Sequence, residues 1–201
     1  TVRVHTRTRE KAADLLAKGA VWAATPREAA TGSDVIFSMV GFPSDVEQVT
    51  LGPDGVLAGA KPGSVLVDMT TSQPSLAVRI HAEAAKKGVA ALDAPVSGGD
   101  VGAREAKLAI MVGGEQAAFD RVLPLFRKMG ETIALLGGPG SGQHTKMVNQ
   151  IAIAANMIGV VECLLYAQKA GLDQAAVIDV IGKGAAGSFS INNLGRRIVK
   201  G

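Results

Sequence analysis

The sequence predicts an α/β fold in which a parallel sheet is covered on both faces, followed by a long helix and the beginning of an all-helical segment. Three observations carry this expectation. Hydrophobic residues make up 47% of the 201-residue chain but aromatic ones only 3%, so the core is expected to be built from Ala, Val, Ile, Leu and Met, the aliphatic material of strands buried on both faces. Short β-like runs alternate with helical stretches from residue 2 to residue 136, which is βαβ grammar. Beyond residue 147 the pattern becomes helical only.

Taken in order, the first elements are a strand over 2–5, a helix over 9–18, a strand over 20–23, a helix over 26–31 and a strand over 35–39. The helix at Pro26 has a clear start signal, with Thr25 as N-cap, proline at the first helical position and Glu28 placed for a capping box. Gly41-Phe42-Pro43-Ser44, Gly52-Pro53-Asp54-Gly55 and Lys61-Pro62-Gly63 then read as turns. Val65-Leu66-Val67 is a continuous apolar run and so a central strand. Its end, Asp68-Met69-Thr70-Thr71-Ser72, lies where ligands bind in open α/β sheets, outside the carboxyl ends of the strands.

A helix over 74–87 closes at Gly88, and the strand over 89–92 ends in Asp93-Ala94-Pro95-Val96-Ser97-Gly98-Gly99. Ser97, Gly98 and Gly99 offer a hydroxyl and exposed backbone N–H groups suited to a carboxylate or phosphate oxygen; an ordinary glycine turn has the same text. A strand over 107–112, a helix over 115–128 and a strand over 132–136 follow. Gly137-Gly138-Pro139-Gly140 then leads into Gly140-Ser141-Gly142-Gln143-His144-Thr145-Lys146-Met147-Val148-Asn149-Gln150. On a helix Gly142, Lys146, Asn149 and Gln150 fall on neighbouring positions, so a small residue, a cation and two amides can face one site. Taken alone, a lysine in the first turns of a helix is more often a solvated surface charge.

From Met147 to Ala170 the chain is too apolar all round for a surface helix and is expected to be buried. Gly171 caps it, a helix over 173–182 follows, and a last helix starts near Asn192. The expected division is therefore 1–139 for the sheet domain and 140–201 for the long helix with part of a helical domain.

Composition narrows the function classes. A net charge of +3 and a pI of 9.1 bring no basic run longer than Lys86-Lys87 or Arg196-Arg197 and little aromatic material to stack on bases, so nucleic acid is not an expected partner. The apolar run Ile151 to Val161, interrupted by Asn156, reads as too short to cross a bilayer. Cys163 is the only cysteine and sits in an apolar helical stretch, as a small core residue would in a reducing, cytoplasmic compartment. His5, His81 and His144 lie far apart and outside any zinc-type spacing, so no metal is expected.

Three loops read together carry a resemblance: Asp68-Met69-Thr70-Thr71, then Asp93-Ala94-Pro95-Val96-Ser97-Gly98-Gly99, then Gly140-Ser141-Gly142-Gln143-His144-Thr145-Lys146 with Asn149. Together they resemble the β-hydroxyacid dehydrogenase family, the group of 3-hydroxyisobutyrate dehydrogenase and tartronate semialdehyde reductase. Arg104-Glu105, Ile110-Met111-Val112-Gly113-Gly114, Glu162 and Lys169-Ala170-Gly171-Leu172-Asp173 are similar to that family as well, so the likeness runs through the whole chain. It implies a doubly wound, Rossmann-type domain, an interdomain helix and an all-helical domain that supports a homo-oligomer, dimer or tetramer.

By motif position the resemblance makes Lys146 the acid/base and gives the carboxylate of a small substrate to Ser97, Gly98 and Gly99. Asn149 matches the family's amide, while Gln150 stands where many relatives have a second asparagine. Met39, Val40, Gly41 and Phe42 match the loop beside the dinucleotide, and Thr71 the residue beside the nicotinamide. Thr6-Arg7-Thr8 ends the first strand without an acid for a ribose hydroxyl; an arginine there suits a 2′-phosphate, so NADP is expected over NAD.

The family's Gly-x-Gly-x-x-Gly turn is absent from these residues and is expected in about 25 to 30 residues before Thr1. The strand that goes with it is central in the order 3-2-1-4-5-6, so without it its neighbours would lack a partner, and the chain reads as a piece of a longer enzyme. Other readings are a 6-phosphogluconate dehydrogenase, which shares Ser-Gly-Gly and the lysine; an imine reductase, whose relatives usually replace the lysine; and a non-catalytic binding or oligomerisation module.

Overall fold

The computed structural model describes residues 1–201 and divides into two compact units, Thr1–Lys146 and Met147–Gly201. The first unit is built on three sheets. Strands β1 (Arg3–Val4) and β2 (Val21–Trp22) pair in parallel. Strands β3 (Val35–Ser38), β4 (Val65–Asp68) and β5 (Ala90–Asp93) form a parallel sheet with β4 in the middle. Strands β6 (Val96–Ser97), β7 (Leu108–Val112) and β8 (Gly130–Leu135) form the third, antiparallel between β6 and β7 and parallel between β7 and β8. β1 and β3 are not paired with each other, so each keeps one edge without a strand partner. Asp93 and Gly113 exchange two backbone hydrogen bonds, 3.1 and 2.8 Å, and so tie the end of β5 to the end of β7.

β4 explains the sheet's position. Val65 and Val67 enter one core cluster with Leu92, Ile110, Val122 and Phe126, whereas Leu66 enters another with Ile36, Ile80 and Ala91. Successive side chains point to opposite faces, so a strand apolar at every position must be covered on both, as it is. The core is not purely aliphatic, however. Phe126 is fully buried, and Phe119 packs on it with ring centroids 6.4 Å apart. A low aromatic count thus concealed a concentrated use of what aromatic material there is.

The helices of this unit are α1 (Ala13–Ala17), α2 (Pro26–Ala30), α3 (Pro43–Leu51), α4 (Val56–Gly59), α5 (Pro74–Ala85), α6 (Gly99–Arg104) and α7 (Gln116–Phe126). At α2 the Thr25 hydroxyl accepts from Glu28 N at 3.1 Å as expected, but the Glu28 carboxylate accepts from Ala24 N rather than Thr25 N, one residue earlier than in a capping box. α3 was not expected, because Gly41-Phe42-Pro43 reads as a turn. Pro43 instead starts the helix, and the Asp45 carboxylate turns back to accept from Phe42 N at 3.1 Å.

Helix α8 (Ser141–Lys169) begins in the first unit and continues through the second, where α9 (Gln174–Ile181), a π-helical turn over Ser190–Gly195 and α10 (Arg196–Lys200) follow. Gly171 adopts a φ of 73° and ends α8 as a C-cap. Asp173 caps α9, accepting from Ala175 N and Ala176 N.

The expected burial of α8 is not what the structure shows. Only 11% of its most apolar 18-residue window is buried. Val160 and Leu164 pack against Ile178 and Ile191, with Cys163 partly buried beside them, while Ile151, Ile158, Leu165 and Tyr166 are exposed. Hydropathy fixes how much apolar surface a helix carries; burial also needs partners, and this unit supplies them along one stripe. At 29 residues, α8 is long and apolar enough to cross a membrane by length and composition. The apolar run Ile151 to Val161 is embedded in a longer helix: beyond Gln150 on one side stand Met147 and Val148, and beyond Glu162 on the other Cys163, Leu164 and Leu165.

Candidate active site

The carboxyl ends of β4 and β5, the start of β6 and the first turns of α8 converge within the first unit. Asp68 and Asp93 end β4 and β5 in register with each other, and both are buried. The Asp68 carboxylate accepts from Ser38 Oγ at 3.0 Å and from Thr70 N at 3.2 Å. Burial pushes its carboxyl above the usual range against those hydrogen bonds, and the neighbouring Asp93 charge acts in the same direction.

Asp93 serves the helix. Its Oδ1 accepts from Gly140 N and its Oδ2 from Gln143 N, each at 2.8 Å. Backbone donors at the start of a helix have no partner within the helix; here a carboxylate from β5 supplies one. The approach is close enough to exclude any side chain at position 142, where a Cβ would lie 2.6 Å from Asp93 O and 2.9 Å from Asp93 Oδ2. Gly142 is therefore not part of a face open to substrate. It is small because the helix backbone rests directly on the strand ends.

Gln143 is 1% exposed. Its Oε1 accepts from Ser72 N at 2.8 Å and its Nε2 donates to Thr70 O at 2.7 Å. One turn later Lys146, 8% exposed, donates from Nζ to the backbone carbonyl of Val96 at 2.7 Å. Lys146 is thus no solvated surface charge. Burial lowers its pKa below the ordinary lysine value of 10.5, because the ammonium loses hydration that the neutral amine does not need.

Val96 leads directly into Ser97, Gly98 and Gly99, the last two with φ of 129° and 63°, a backbone region that glycine enters without strain. Both glycines are exposed and Ser97 is half-buried. Lys146 and the strand carrying the Ser-Gly-Gly loop are accordingly brought together. Asn149 and Gln150 belong to the second unit, where Asn149 Nδ2 donates to Gln150 Oε1 at 2.9 Å.

Thr6, Arg7 and Thr8 follow β1, with the Arg7 guanidinium exposed and 3.8 Å from the Asp45 carboxylate of α3. Met39, Val40, Gly41 and Phe42 follow β3. Val40 N donates to Thr70 Oγ1 at 3.0 Å, so this loop is tied to the one after β4, where Thr71 is exposed. Met39 and Phe42 are 68% and 69% exposed, and the buried Ser72 Oγ has no hydrogen-bond partner. Exposed apolar side chains and an orphaned hydroxyl at strand carboxyl ends fit a dinucleotide, which has flat apolar rings and polar ribose edges to offer. No group of three or more His, Cys, Asp or Glu side chains gathers to hold a metal.

Asp93 and Gln143 stand inside the motifs visible in the sequence, but residue type alone gives neither of them a role. The available signal was the spacing of Gln143, three residues before Lys146 on one helix face.

Comparison with known proteins gives the family and the fold. Residues 1–138 match the family model described as the NAD binding domain of 6-phosphogluconate dehydrogenase, and residues 140–201 match that described as NAD-binding of NADP-dependent 3-hydroxyisobutyrate dehydrogenase. The chain is 56% identical to the uncharacterized oxidoreductase YkwC of Bacillus subtilis over 100% of its own length and 69% of the relative's. It is 50% identical to the probable 3-hydroxyisobutyrate dehydrogenase-like 1, mitochondrial, of Arabidopsis thaliana over 100% of its own length and 60% of the relative's. Among solved structures, Psf3 in complex with NADP+ and 2-OPP superposes with a TM-score of 0.90 at 30% identity, covering 98% of this chain and 70% of that one. The chain therefore spans about three fifths to seven tenths of the length of these relatives.

Proposed function

Because the chain belongs to the β-hydroxyacid dehydrogenase family, the group of NAD(P)-dependent oxidoreductases that includes 3-hydroxyisobutyrate dehydrogenase, we propose that the whole protein interconverts a small hydroxy acid and its semialdehyde with Lys146 as general acid/base. The observation that carries this reading is a buried lysine with a lowered pKa, held at 2.7 Å against the strand that leads into Ser97. When bound, the nicotinamide supplies or takes up the hydride at the substrate carbon. The oxygen on that carbon must gain or lose a proton in the same event, and Lys146 Nζ is the group that exchanges it.

Ser97 Oγ and the N–H groups of Gly98 and Gly99 hold the substrate carboxylate in this reading, and Asn149 and Gln150 are the amides that the family motif assigns to substrate binding. Met39, Val40, Gly41, Phe42 and Thr71 flank the dinucleotide. Arg7, flanked by Thr6 and Thr8, faces the 2′-phosphate, which makes NADP the preferred cofactor over NAD. The exposed apolar surface of α8 suits a homo-oligomer. The Arabidopsis relative is named as mitochondrial, so compartment is not read from the family; the single half-buried cysteine suits a reducing one such as the cytoplasm.

The test is Lys146→Ala in the complete enzyme. Turnover is expected to fall at least about a hundredfold, the scale of general acid/base catalysis, with cofactor affinity retained. Near-normal kcat would refute the assignment. A screen of 3-hydroxyisobutyrate, tartronate semialdehyde, glyoxylate and succinic semialdehyde with both cofactors identifies the substrate, and faster turnover of 6-phosphogluconate would overturn the small-acid reading.

A further inference from the structure

We propose that Gln143 is a positioning residue of this reaction: its side-chain amide fixes the Thr70–Ser72 loop to the turn of α8 that carries Lys146. The inference rests on the reading of Lys146 as the acid/base. It starts from a residue that is buried, polar and without a part in the proton or hydride step.

Both ends of the Gln143 amide are used, and each faces a backbone group of defined sense. Ser72 N can only donate and Thr70 O can only accept, so Oε1 must lie on Ser72 and Nε2 on Thr70, at 2.8 and 2.7 Å. The backbone of Gln143 is itself held, since its N–H donates to Asp93 Oδ2 while Gly140 N donates to Oδ1. Lys146, one turn on, meets Val96 O. Loops from the ends of β4 and β5 and strand β6 are thereby pinned to two successive turns of one helix, across sequence separations of 71, 73 and 50 residues.

The consequence concerns alignment. The loop held by Gln143 includes Thr71, on the dinucleotide side, and the helix turn holds the proton donor. Hydride and proton must reach adjacent atoms of one substrate, and a misplacement of about 1 Å can cost on the order of a hundredfold in rate. An apolar residue of similar volume would fill the space but leave Ser72 N and Thr70 O without partners and the loop free to move relative to the helix.

The experiment uses the complete enzyme saturated with reduced cofactor and compares Gln143→Met, Gln143→Glu and Lys146→Ala in the reduction direction. Gln143→Met is expected to lower kcat on the order of ten- to a hundredfold, to leave KM for the semialdehyde within about threefold, and to raise the primary isotope effect with 4-deuterated cofactor as hydride transfer becomes limiting. Gln143→Glu keeps the volume and the Ser72 contact but sets a carboxylate oxygen against Thr70 O. Its kcat relative to wild type is expected to rise as pH falls and the carboxyl gains a proton to donate, with the melting temperature monitored at each pH. A defect of stability alone would lower the melting temperature without altering the isotope effect of the folded enzyme.

Should Gln143→Met not fold, the Gln143→Glu profile decides alone. Wild-type kcat and isotope effect in Gln143→Glu at every pH, alongside an inactive Lys146→Ala, would overturn the positioning role while leaving the lysine assignment intact. An active Lys146→Ala would instead remove the reading on which the proposal stands.

Discussion

Lys146 donates from Nζ to the backbone carbonyl of Val96 at 2.7 Å, so the cationic tip of α8 rests on the strand that delivers Ser97. Val96 and Lys146 are 50 residues apart, and the contact joins the proposed proton donor to the proposed carboxylate cradle within one compact unit.

The lowered pKa of Lys146 sets a direction for pH dependence. Oxidation of the hydroxy acid needs the neutral amine, so kcat in that direction is expected to rise with pH through a midpoint below the ordinary 10.5. Reduction needs the ammonium, and kcat in that direction falls as pH rises through a midpoint likewise below 10.5. Stability follows the same sign: the cost of keeping the ammonium desolvated is present below the lowered pKa and is relieved as pH rises through it. Rate profiles of wild type and Lys146→Arg check this, the arginine losing the limb because it does not deprotonate in this range.

Gly142→Ala is expected to destabilise the protein by about 1–3 kcal/mol, the range for an overpacked core, since the new methyl would meet the backbone of Met111 and Asp93. Because relief requires α8 to move off the strand ends, kcat should fall in the molecules that remain folded. Thermal melts paired with kcat at a temperature where the variant is folded measure both effects.

For Asp68 the sign is opposite to that of a salt-bridged carboxylate. Its folded pKa lies above the unfolded 3.8, chiefly through burial, so the penalty for ionisation is fully present above the raised value and is relieved as pH falls through it. Asp68→Asn, with its Oδ1 still able to accept from Ser38 and Thr70, is expected to match or exceed wild-type stability at pH 7. It should also flatten the acid side of the stability profile above pH 3.8, as denaturant melts at a series of pH values would show.

Arg7→Ala is expected to raise KM for NADPH on the order of tenfold, the loss of one charge-assisted contact, and to leave KM for NADH nearly unchanged. Equal effects on both cofactors would remove the 2′-phosphate role. The exposed contact with Asp45 at 3.8 Å is too weak to hold the guanidinium away from a ligand.

Asp173→Ala removes the side chain that accepts from Ala175 N and Ala176 N at the start of α9. A loss of about 1 kcal/mol is expected, the scale of a lost helix N-cap. Thermal melts measure this.

What the sequence by itself determined is what short-range pattern can report. Val65-Leu66-Val67 is apolar at every position and became the doubly covered β4; Thr25 and Pro26 started α2; Gly171 ended α8; and the Ser97-Gly98-Gly99 and Lys146 motifs pointed to one chemistry. Tertiary structure decided the rest. Gly142 reads as a small residue open to substrate until Met111 and Asp93 are seen beneath it. Gln143 reads as one polar residue among several until Ser72 and Thr70 meet its two amide atoms. The apolar faces of α8 announce a need for partners without saying which faces have them. In each case the deciding partner lies far away in sequence or on another element, and local pattern, which records propensity and periodicity, carries no information about which distant backbone group will arrive.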